Sequence, residues 1–252
     1  MKFKRVIPVL TMIDDELYKT VQFESPRYVG DAINAVRIFN EKQVDEIIIA
    51  DIRISANEQE PSFDLIKDIV SEAFMPVCYA GGVATIEQFK TIIQAGVEKI
   101  AISTHLADEA LLKACVAHAG SSSVVACFNV VKEKGIYYSD NKNNKQRIAL
   151  ADEIKRVEQL GVGEIMINDS MRDGTYQGYD EALLKFALAH TDLPLIYCGG
   201  AAGVEDFKKA FELGADAVAA GSLFMFYGKW KAVLINYLND QQRTILKDFL
   251  PL

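Results

Sequence analysis

The sequence predicts a closed (β/α)8 barrel made of two similar half-barrels, and two observations lead to this fold. First, residues 76–82 repeat at 194–200, and the same offset of 118 residues places 44–51 on 162–169 without a gap. A repeat of this kind indicates two copies of one structural unit. Second, eight short apolar runs alternate with amphipathic stretches, which is typical of a parallel sheet covered by helices.

The eight apolar runs are the predicted barrel strands. In chain order they end at Leu10, Ala50, Ala80, Ile102, Phe128, Ile167, Cys198 and Ala220. Helical patterns lie between them, for example at residues 63–70 and 204–211. The chain has 252 residues, 50% of them hydrophobic, which is enough to bury one TIM-barrel domain over residues 1–252. The half-barrels are expected at about 1–118 and 119–236; an open doubly wound sheet, the alternative, would not require two matching halves.

Composition limits the partners and cofactors that we expect. A net charge of -8, a pI near 5.0 and the lack of a Lys/Arg block argue against nucleic-acid binding. The N-terminal sequence does not resemble a signal peptide, and no apolar run reaches membrane-spanning length. The four cysteines lack CxxC spacing, so we expect reduced thiols in a cytoplasmic protein. No residues have metal-ligand spacing, so neither a metal nor another cofactor is predicted.

Glycines and hydroxyl residues follow four of the strands, at the end where such barrels carry their chemistry. Paired glycines let backbone amides approach an anion, and nearby hydroxyls add donors. The predicted phosphate sites contain Gly81, Gly82, Ser103 and Thr104 in one half, and Gly199, Gly200, Gly221 and Ser222 in the other. Two such sites across one opening suit a substrate with a phosphate at each end. For either glycine pair alone, a tight turn is the alternative.

Three motifs carry a family resemblance: RDGTYQGYD at residues 172–180, CGGA at 198–201 and DAVAAGSLF at 216–224. From residue 5 to about 226 the sequence resembles the cyclase subunit of imidazole glycerol phosphate synthase, the HisF family. The resemblance implies a long bis-phosphate ribulosyl substrate across the mouth and a glutaminase partner at the barrel bottom that supplies ammonia. It adds Asp173 and Gly174 to the phosphate residues. It also places Asp51 and Lys19 at family positions, with Lys19 in a long loop after the first strand.

The sequence departs from the family pattern at two positions. In the family, the first and fifth strands each end in an aspartate, and this pair performs the acid–base chemistry. Here the residues are Thr11 and Asn129, which cannot exchange protons near pH 7. Asp51 and Asp169 are related by the repeat, so they are candidates for a replacement pair; the alternative is that either carboxylate anchors a loop.

Four charges at strand starts match the ring that gates ammonia in the family: Arg5, Glu46, Lys99 and Glu164. A structural network at the barrel bottom is the alternative.

The gate and the phosphate sites match the family pattern, whereas the acid–base pair does not. This combination predicts an altered substrate. The pattern resembles divergent relatives that work with a glutaminase and a sugar amidotransferase to place acetamidino groups on bacterial surface sugars. An ordinary histidine-pathway cyclase and a non-catalytic scaffold or ammonia conduit are the alternatives, and enzymatic activity is the favoured expectation.

The remaining polar candidates are few. His105 follows Thr104 at the barrel mouth and is the histidine best placed to assist catalysis. His118 and His190 lie near predicted helix ends, where an interaction with the helix dipole is expected. The polar stretch 139–146 predicts an exposed hairpin tip.

Overall fold

The structure is a computed structural model that describes residues 4–52, 60–141 and 146–250. Its strands are β1 (Arg5–Ile13), β2 (Glu16–Val21), β3 (Glu24–Asp31), β4 (Ile47–Asp51), β5 (Val77–Ala80), β6 (Lys99–Ile102), β7 (Val124–Glu133), β8 (Ile136–Asn141), β9 (Gln146–Ala149), β10 (Glu164–Asp169), β11 (Leu195–Cys198), β12 (Ala217–Ala220), β13 (Phe226–Tyr227) and β14 (Ala232–Val233). Its helices are α1 (Ala32–Glu41), α2 (Phe63–Glu72), α3 (Ile86–Gln94), α4 (Glu109–Ala119), α5 (Leu150–Gln159), α6 (Glu181–Leu188), α7 (Val204–Leu213), α8 (Ser222–Met225) and α9 (Asp240–Ile245), with a 3-10 turn at Ser121–Ser123.

Eight strands form a closed parallel barrel, which confirms the predicted TIM-barrel fold. The order around the barrel is β1, β4, β5, β6, β7, β10, β11 and β12, and β12 pairs with β1. Every predicted strand end lies inside the corresponding observed strand, and Ala80, Ile102, Cys198 and Ala220 are the last residues of theirs. The apolar runs located the strands well because strands covered on both faces leave few polar positions.

Several helices that pack on the outside of the barrel begin at residues whose side chains cap free N–H groups. Thr85 accepts a hydrogen bond from the backbone N–H of Gln88, whose side chain caps Thr85 in return at the start of α3. Asp31 and Asp180 cap α1 and α6 in a similar way. The buried helix faces and the outward strand residues form one large apolar core, with Phe39, Phe89 and other aromatic residues fully buried. Burial of each such side chain contributes roughly 1.5–3 kcal/mol.

A hairpin follows the first barrel strand of each half-barrel, and the first of these hairpins corrects a sequence prediction. The segment with Lys19, predicted as a long loop, forms β2 and pairs antiparallel with β1 and β3. Asp14 and Asp15 have φ of 50° and 67°, as required by the tight turns that suit twisted hairpins. In the second half, the predicted exposed tip at 139–146 begins in β8, and its residue Asn141 is only partly exposed; residues 142–145 lie outside the described ranges.

The barrel interior is arranged in layers because alternate residues of each strand point inward. In β1 the inward residues are Arg5, Ile7, Val9 and Thr11, from the bottom to the mouth. The apolar layers between contain Ile7, Val9, Ile48, Cys78, Ala101, Val125, Cys127, Met166, Ile196, Cys198, Ala217 and Ala219. A charged layer therefore lies below an apolar middle, and polar groups lie above it. Among the helices of the described residues, none is long and apolar enough to cross a membrane.

Candidate active site at the barrel mouth

A cavity of about 490 Å³ opens at the carboxyl ends of the barrel strands. It brings together most of the residues that the sequence selected, which is the arrangement expected of this barrel class. The predicted residues in its lining are Thr11, Lys19, Asp51, Gly81, Gly82, Ser103, Thr104, Asn129, Asp173, Gly221 and Ser222. The glycine and hydroxyl residues of the first half-barrel thus open directly into the large cavity.

The second predicted phosphate site is a separate, narrow recess of about 20 Å³ beside the cavity. Its lining contains Gly174, Gly199 and Gly200, and it shares Asp173, Gly221 and Ser222 with the large cavity. Gly200 has a φ of 98°, and a Cβ there would lie 2.8 Å from both Arg172 Cβ and Gly178 O. Only glycine fits that conformation and that space.

Tyr176 distinguishes this second site from the first. Its hydroxyl donates a hydrogen bond of 2.8 Å to the carbonyl of Ser222, and its ring lies 4.4 Å from Lys231 Nζ. The residue has a φ of 60°, an unusual conformation for a side chain of this size. Tyr176 therefore lines the recess and ties the loop after β10 to the segment after β12.

Lys19 projects from β2 into the barrel mouth, where its side chain is buried. Its Nζ donates hydrogen bonds to Val9 O at 2.6 Å and to Thr11 Oγ1 at 2.9 Å. Burial lowers the pKa of this amine to about 8, although nearby Asp173 favours the charged form. Gly221 leaves the room that the ammonium occupies, because a Cβ there would collide with Nζ. Lys19 can therefore exchange a proton close to neutral pH.

The two positions at which the family resemblance implies aspartates hold neutral groups in the cavity wall. Thr11 accepts the hydrogen bond from Lys19, while Asn129 Nδ2 donates to Ser103 Oγ at 3.3 Å. Asn129 Oδ1 accepts a hydrogen bond of 3.0 Å from Asn168 Nδ2 on the adjacent strand β10. Neither Thr11 nor Asn129 supplies an acid or a base at this place.

The two candidate replacement carboxylates have different environments. Asp51 lines the large cavity. Asp169 instead accepts a hydrogen bond of 3.0 Å from the backbone N–H of Met171, and its Oδ2 lies 3.8 Å from Arg172 Nε. Burial raises the pKa of Asp169 to about 6, despite these partners. These contacts fit a loop-anchoring role for Asp169, so the expectation of a symmetric Asp51–Asp169 pair receives no geometric support.

The predicted ring of charges is present at the opposite end of the barrel. Arg5 contacts Glu46 and Glu164, and Lys99 Nζ lies 3.1 Å from Glu46 Oε2 and 2.9 Å from Glu164 Oε2. Burial opposes the charge of both cations, but attraction to the two glutamates outweighs it and raises the pKa of Arg5 and of Lys99. Glu46 Oε1 is buried and has no hydrogen-bond partner among the described residues.

The three histidines occupy different surroundings. His105 lines the cavity beside Thr104. His118 lies in the last turn of α4 with its ring 6.4 Å from that of Phe89, and His190 Nδ1 lies 2.7 Å from Phe186 O after α6. Within the ranges that the structure describes, no group of three or more His, Cys, Asp or Glu residues could hold a metal ion.

Several cavity residues were not selected from the sequence: Thr20, Phe23, Asp140, Asn141 and Asn168. Asn168 had a usable signal, because it lies two residues after Met166 and therefore on the same inward face of β10. Asn141 had none, since the polar hairpin after β7 predicted only an exposed tip. Its Nδ2 donates a hydrogen bond of 2.6 Å to Thr104 O, which brings the hairpin to the cavity.

Comparisons with known proteins identify the family. Residues 5–231 match the family described as histidine biosynthesis protein. A Pseudomonas aeruginosa protein named "Putative imidazole glycerol phosphate synthase subunit hisF2" is 44% identical, over 93% of this chain and 95% of that protein. The Dictyoglomus turgidum protein named imidazole glycerol phosphate synthase subunit HisF is 35% identical, over 90% of this chain and 91% of that protein. The chain therefore belongs to the histidine biosynthesis protein family and resembles its HisF synthase subunits.

Proposed function

We propose that this chain is the synthase barrel of a glutamine amidotransferase system. A glutaminase binds at the bottom of the barrel, ammonia passes through the interior, and a phosphorylated substrate binds at the mouth. The observation that carries the proposal is the closed ring of Arg5, Glu46, Lys99 and Glu164 below a mouth whose two recesses contain the predicted phosphate residues. The bottom of the barrel can admit ammonia, and the mouth can hold the substrate that reacts with it.

The interior above the ring supports passage of a small neutral molecule. Small side chains such as Cys78, Ala101, Ala217 and Ala219 occupy much of the layer between the ring and the cavity. An apolar interior opposes ammonium, because desolvation of an ion is expensive, but it does not oppose neutral ammonia to the same degree. The unpartnered Glu46 Oε1 offers a hydrogen-bond acceptor at the entrance.

The surface at the bottom of the barrel is suited to binding a protein partner. Phe74 lies in the loop before β5, at the same end as the charged ring, and is 88% exposed. Asn40 holds this loop by accepting a hydrogen bond from the Phe74 backbone N–H at 2.9 Å and donating one to Glu72 O at 2.7 Å. An exposed aromatic side chain on a backbone held in this way is typical of residues that anchor protein interfaces.

The residues at the mouth favour a substrate different from that of the ordinary cyclase. Thr11 and Asn129 are hydrogen-bonded, neutral members of the wall, so they cannot act as the acid–base pair that the family resemblance implies at these positions. We infer that the product serves acetamidino-sugar biosynthesis in the cytoplasm, with a sugar amidotransferase as a further partner. Lys19, whose pKa is lowered to about 8 by burial, is the group best suited to proton transfer in this changed site.

An ordinary histidine-pathway cyclase is the second candidate. The 35% identity to the Dictyoglomus turgidum HisF subunit favours it, as do Lys19 and Asp51 in the cavity lining. The two candidates share the glutaminase and the anion sites, so only the reaction at the mouth separates them. A scaffold without chemistry of its own would also retain the ring.

The experiment is co-purification of the barrel with a HisH-like glutaminase subunit from the same genome, followed by measurement of glutamine hydrolysis. We expect association, and faster hydrolysis in the complex than by the glutaminase alone, because the partner's site is completed on binding. Phe74→Ala should weaken the association, whereas Lys67→Glu on the exposed face of α2 should leave it unchanged. No association at micromolar concentrations, or equal hydrolysis with and without the barrel, would contradict the proposal.

A further inference from the structure

An exposed hairpin beside the barrel mouth carries a group of apolar side chains. It follows α8, and its strands β13 and β14 pair antiparallel. We call residues 226–234 the rim hairpin. All residues from 227 to 234 are exposed, and the large apolar side chains among them are Tyr227, Trp230, Val233 and Leu234. Single exposed apolar residues are ordinary, but a group of them is typical of an interaction site.

The rim hairpin is held against the mouth, so its exposed side chains lie at a defined place. The backbone N–H of Leu234 donates a hydrogen bond of 3.0 Å to Met225 O. Lys231 Nζ lies 4.4 Å from the ring centre of Tyr176, and Tyr176 lines the narrow recess. A protein bound to the rim hairpin would therefore lie next to the opening of the barrel.

The charge of the rim hairpin is opposite in sign to that of the whole chain. From residue 217 to 239 the sequence contains no Asp or Glu, and its only charged residues are Lys229 and Lys231, although the chain has a net charge of -8. Arg27 of β3 adds a third cation, 4.7 Å from the ring centre of Phe226. Such a mixture of cations and exposed apolar side chains complements an acidic surface with an apolar centre.

The number of cations favours a protein over a lipid surface as the partner. Recognition of anionic lipids by charge uses clusters of about 4–8 Lys or Arg residues, and the rim hairpin with Arg27 has fewer. Protein interfaces are instead enriched in Trp, Tyr and Arg, and one aromatic anchor in a pocket can dominate the binding energy. Trp230, which is 86% exposed, is suited to be this anchor.

We propose that the rim hairpin docks the protein that receives what leaves the barrel mouth, and that this partner presents an acidic face with a pocket for Trp230. The inference rests on the proposed function, because it gives the binding surface of the sugar amidotransferase named there. The two protein partners then bind opposite ends of the barrel, the glutaminase near Phe74 and the amidotransferase at Trp230. Both ends can be occupied at once.

The test is binding of the purified barrel to the sugar amidotransferase of the same genome, measured by biolayer interferometry. The Kd should rise about 30-fold in Trp230→Ala, a loss typical of a truncated aromatic anchor, whereas Trp230→Phe should retain most of the affinity. Lys229→Glu with Lys231→Glu should slow association and remove its dependence on salt. The matched control, Lys113→Glu with Lys155→Glu on the exposed faces of α4 and α5, changes the net charge equally and should change binding little.

Four results would overturn the proposal. The first is no binding of the native barrel at micromolar concentrations, with or without the glutaminase. The second is an undiminished affinity in Trp230→Ala, and the third is an equal loss of affinity in the two double Lys→Glu variants. The fourth is a genome that encodes no sugar amidotransferase.

Other occupants of the rim hairpin can be recognised because Trp230 is the only tryptophan of the chain. A blue shift of its emission with phosphatidylglycerol vesicles would assign the hairpin to a membrane and overturn the proposal. A dimer in sedimentation that Trp230→Ala dissociates would assign it to a second copy of the chain, with the same consequence. The native protein should show neither.

Failure of this inference can be distinguished from failure of the proposed function. The glutaminase assay depends on the bottom of the barrel and contains no amidotransferase. Faster glutamine hydrolysis in the barrel–glutaminase complex, together with no amidotransferase binding, would reject the docking surface alone. Binding of the amidotransferase through Trp230 without any effect on the glutaminase would instead reject the proposed function.

Discussion

The two ends of the barrel interior differ in the charge of their polar layers, although strands of one barrel supply both. At the bottom, Arg5, Glu46, Lys99 and Glu164 form a closed set of ion pairs. At the mouth, β1 and β7 instead contribute the neutral side chains of Thr11 and Asn129. A buried ring of paired charges loses stability when any member changes, whereas the wall of an open cavity can exchange groups at little cost to folding. We therefore expect changes in substrate at the mouth and retention of the ring.

The largest expected effect concerns the reaction at the mouth. With the bis-phosphate ribulosyl substrate of the cyclase and ammonium ions, the native protein should show little or no turnover. The double substitution Thr11→Asp and Asn129→Asp should raise the rate by ~10²–10⁴-fold, the usual contribution of a positioned acid or base. Thr11→Asn, which adds an amide and no charge, is the control and should remain inactive. If the native protein turned over this substrate as fast as an aspartate-bearing cyclase does, the result would indicate a function in histidine synthesis.

At the opposite end, Lys99→Glu should be the most damaging single substitution in the ring. It places a third carboxylate against Glu46 and Glu164, both of which are buried. Loss of one partner in a buried ion network typically costs ~3–5 kcal/mol, measured here as the change in free energy of unfolding in urea. Lys99→Met, which removes the charge without reversing it, should cost less. Lys67→Glu on the exposed face of α2 should change stability little. An equal loss of stability in both Lys→Glu variants would show that the charged ring contributes no more to stability than a surface charge does.

Lys19 provides a smaller effect that depends on pH. Burial lowers its pKa from 10.5 to about 8 in the folded state, so the unfolded chain binds more protons between these values. Below pH 8 the buried charge therefore lowers the free energy of unfolding by at most about 3 kcal/mol. This penalty disappears as the pH rises towards 10.5. The native protein should gain stability over this range relative to Lys19→Met. A stability difference that stays constant from pH 7 to 10.5 would contradict the shifted pKa.

The sequence predicted the barrel well because the strands depend on local pattern, and apolar runs located all eight of them. The ring of Arg5, Glu46, Lys99 and Glu164 came from the family resemblance instead, and its members meet because the first or preceding residue of a barrel strand lies at the bottom. Side-chain direction in long connections was less predictable. The burial of Lys19 depends on the pairing of β2 with β1 and on the space left by Gly221, a residue 202 positions away. No local pattern encodes such a contact.

The smallest expected effect concerns the two predicted anion sites, which the repeat makes similar in sequence but which Tyr176 makes different in structure. In crystals grown with sulfate, we expect the ion near Gly82 and Thr104 in the open cavity, and near Gly200 and Ser222 in the recess. Tyr176→Phe removes the hydrogen bond to Ser222 O and keeps the ring. One such bond contributes roughly 0.5–1.5 kcal/mol, so sulfate occupancy in the recess should change while that in the open cavity stays constant.

The matched control is Tyr18→Phe, which should leave both sites unchanged. Tyr18 belongs to β2, and its ring packs edge-on against Tyr28. Equal changes at the two sites in Tyr176→Phe would mean that the tyrosine acts on the whole mouth and not on the recess. Side chains that fill both sites in the presence of sulfate would count against any phosphorylated ligand. An ion in the open cavity alone would instead indicate that the second site needs movement of Tyr176, because its hydroxyl bridges the loop after β10 to the segment after β12.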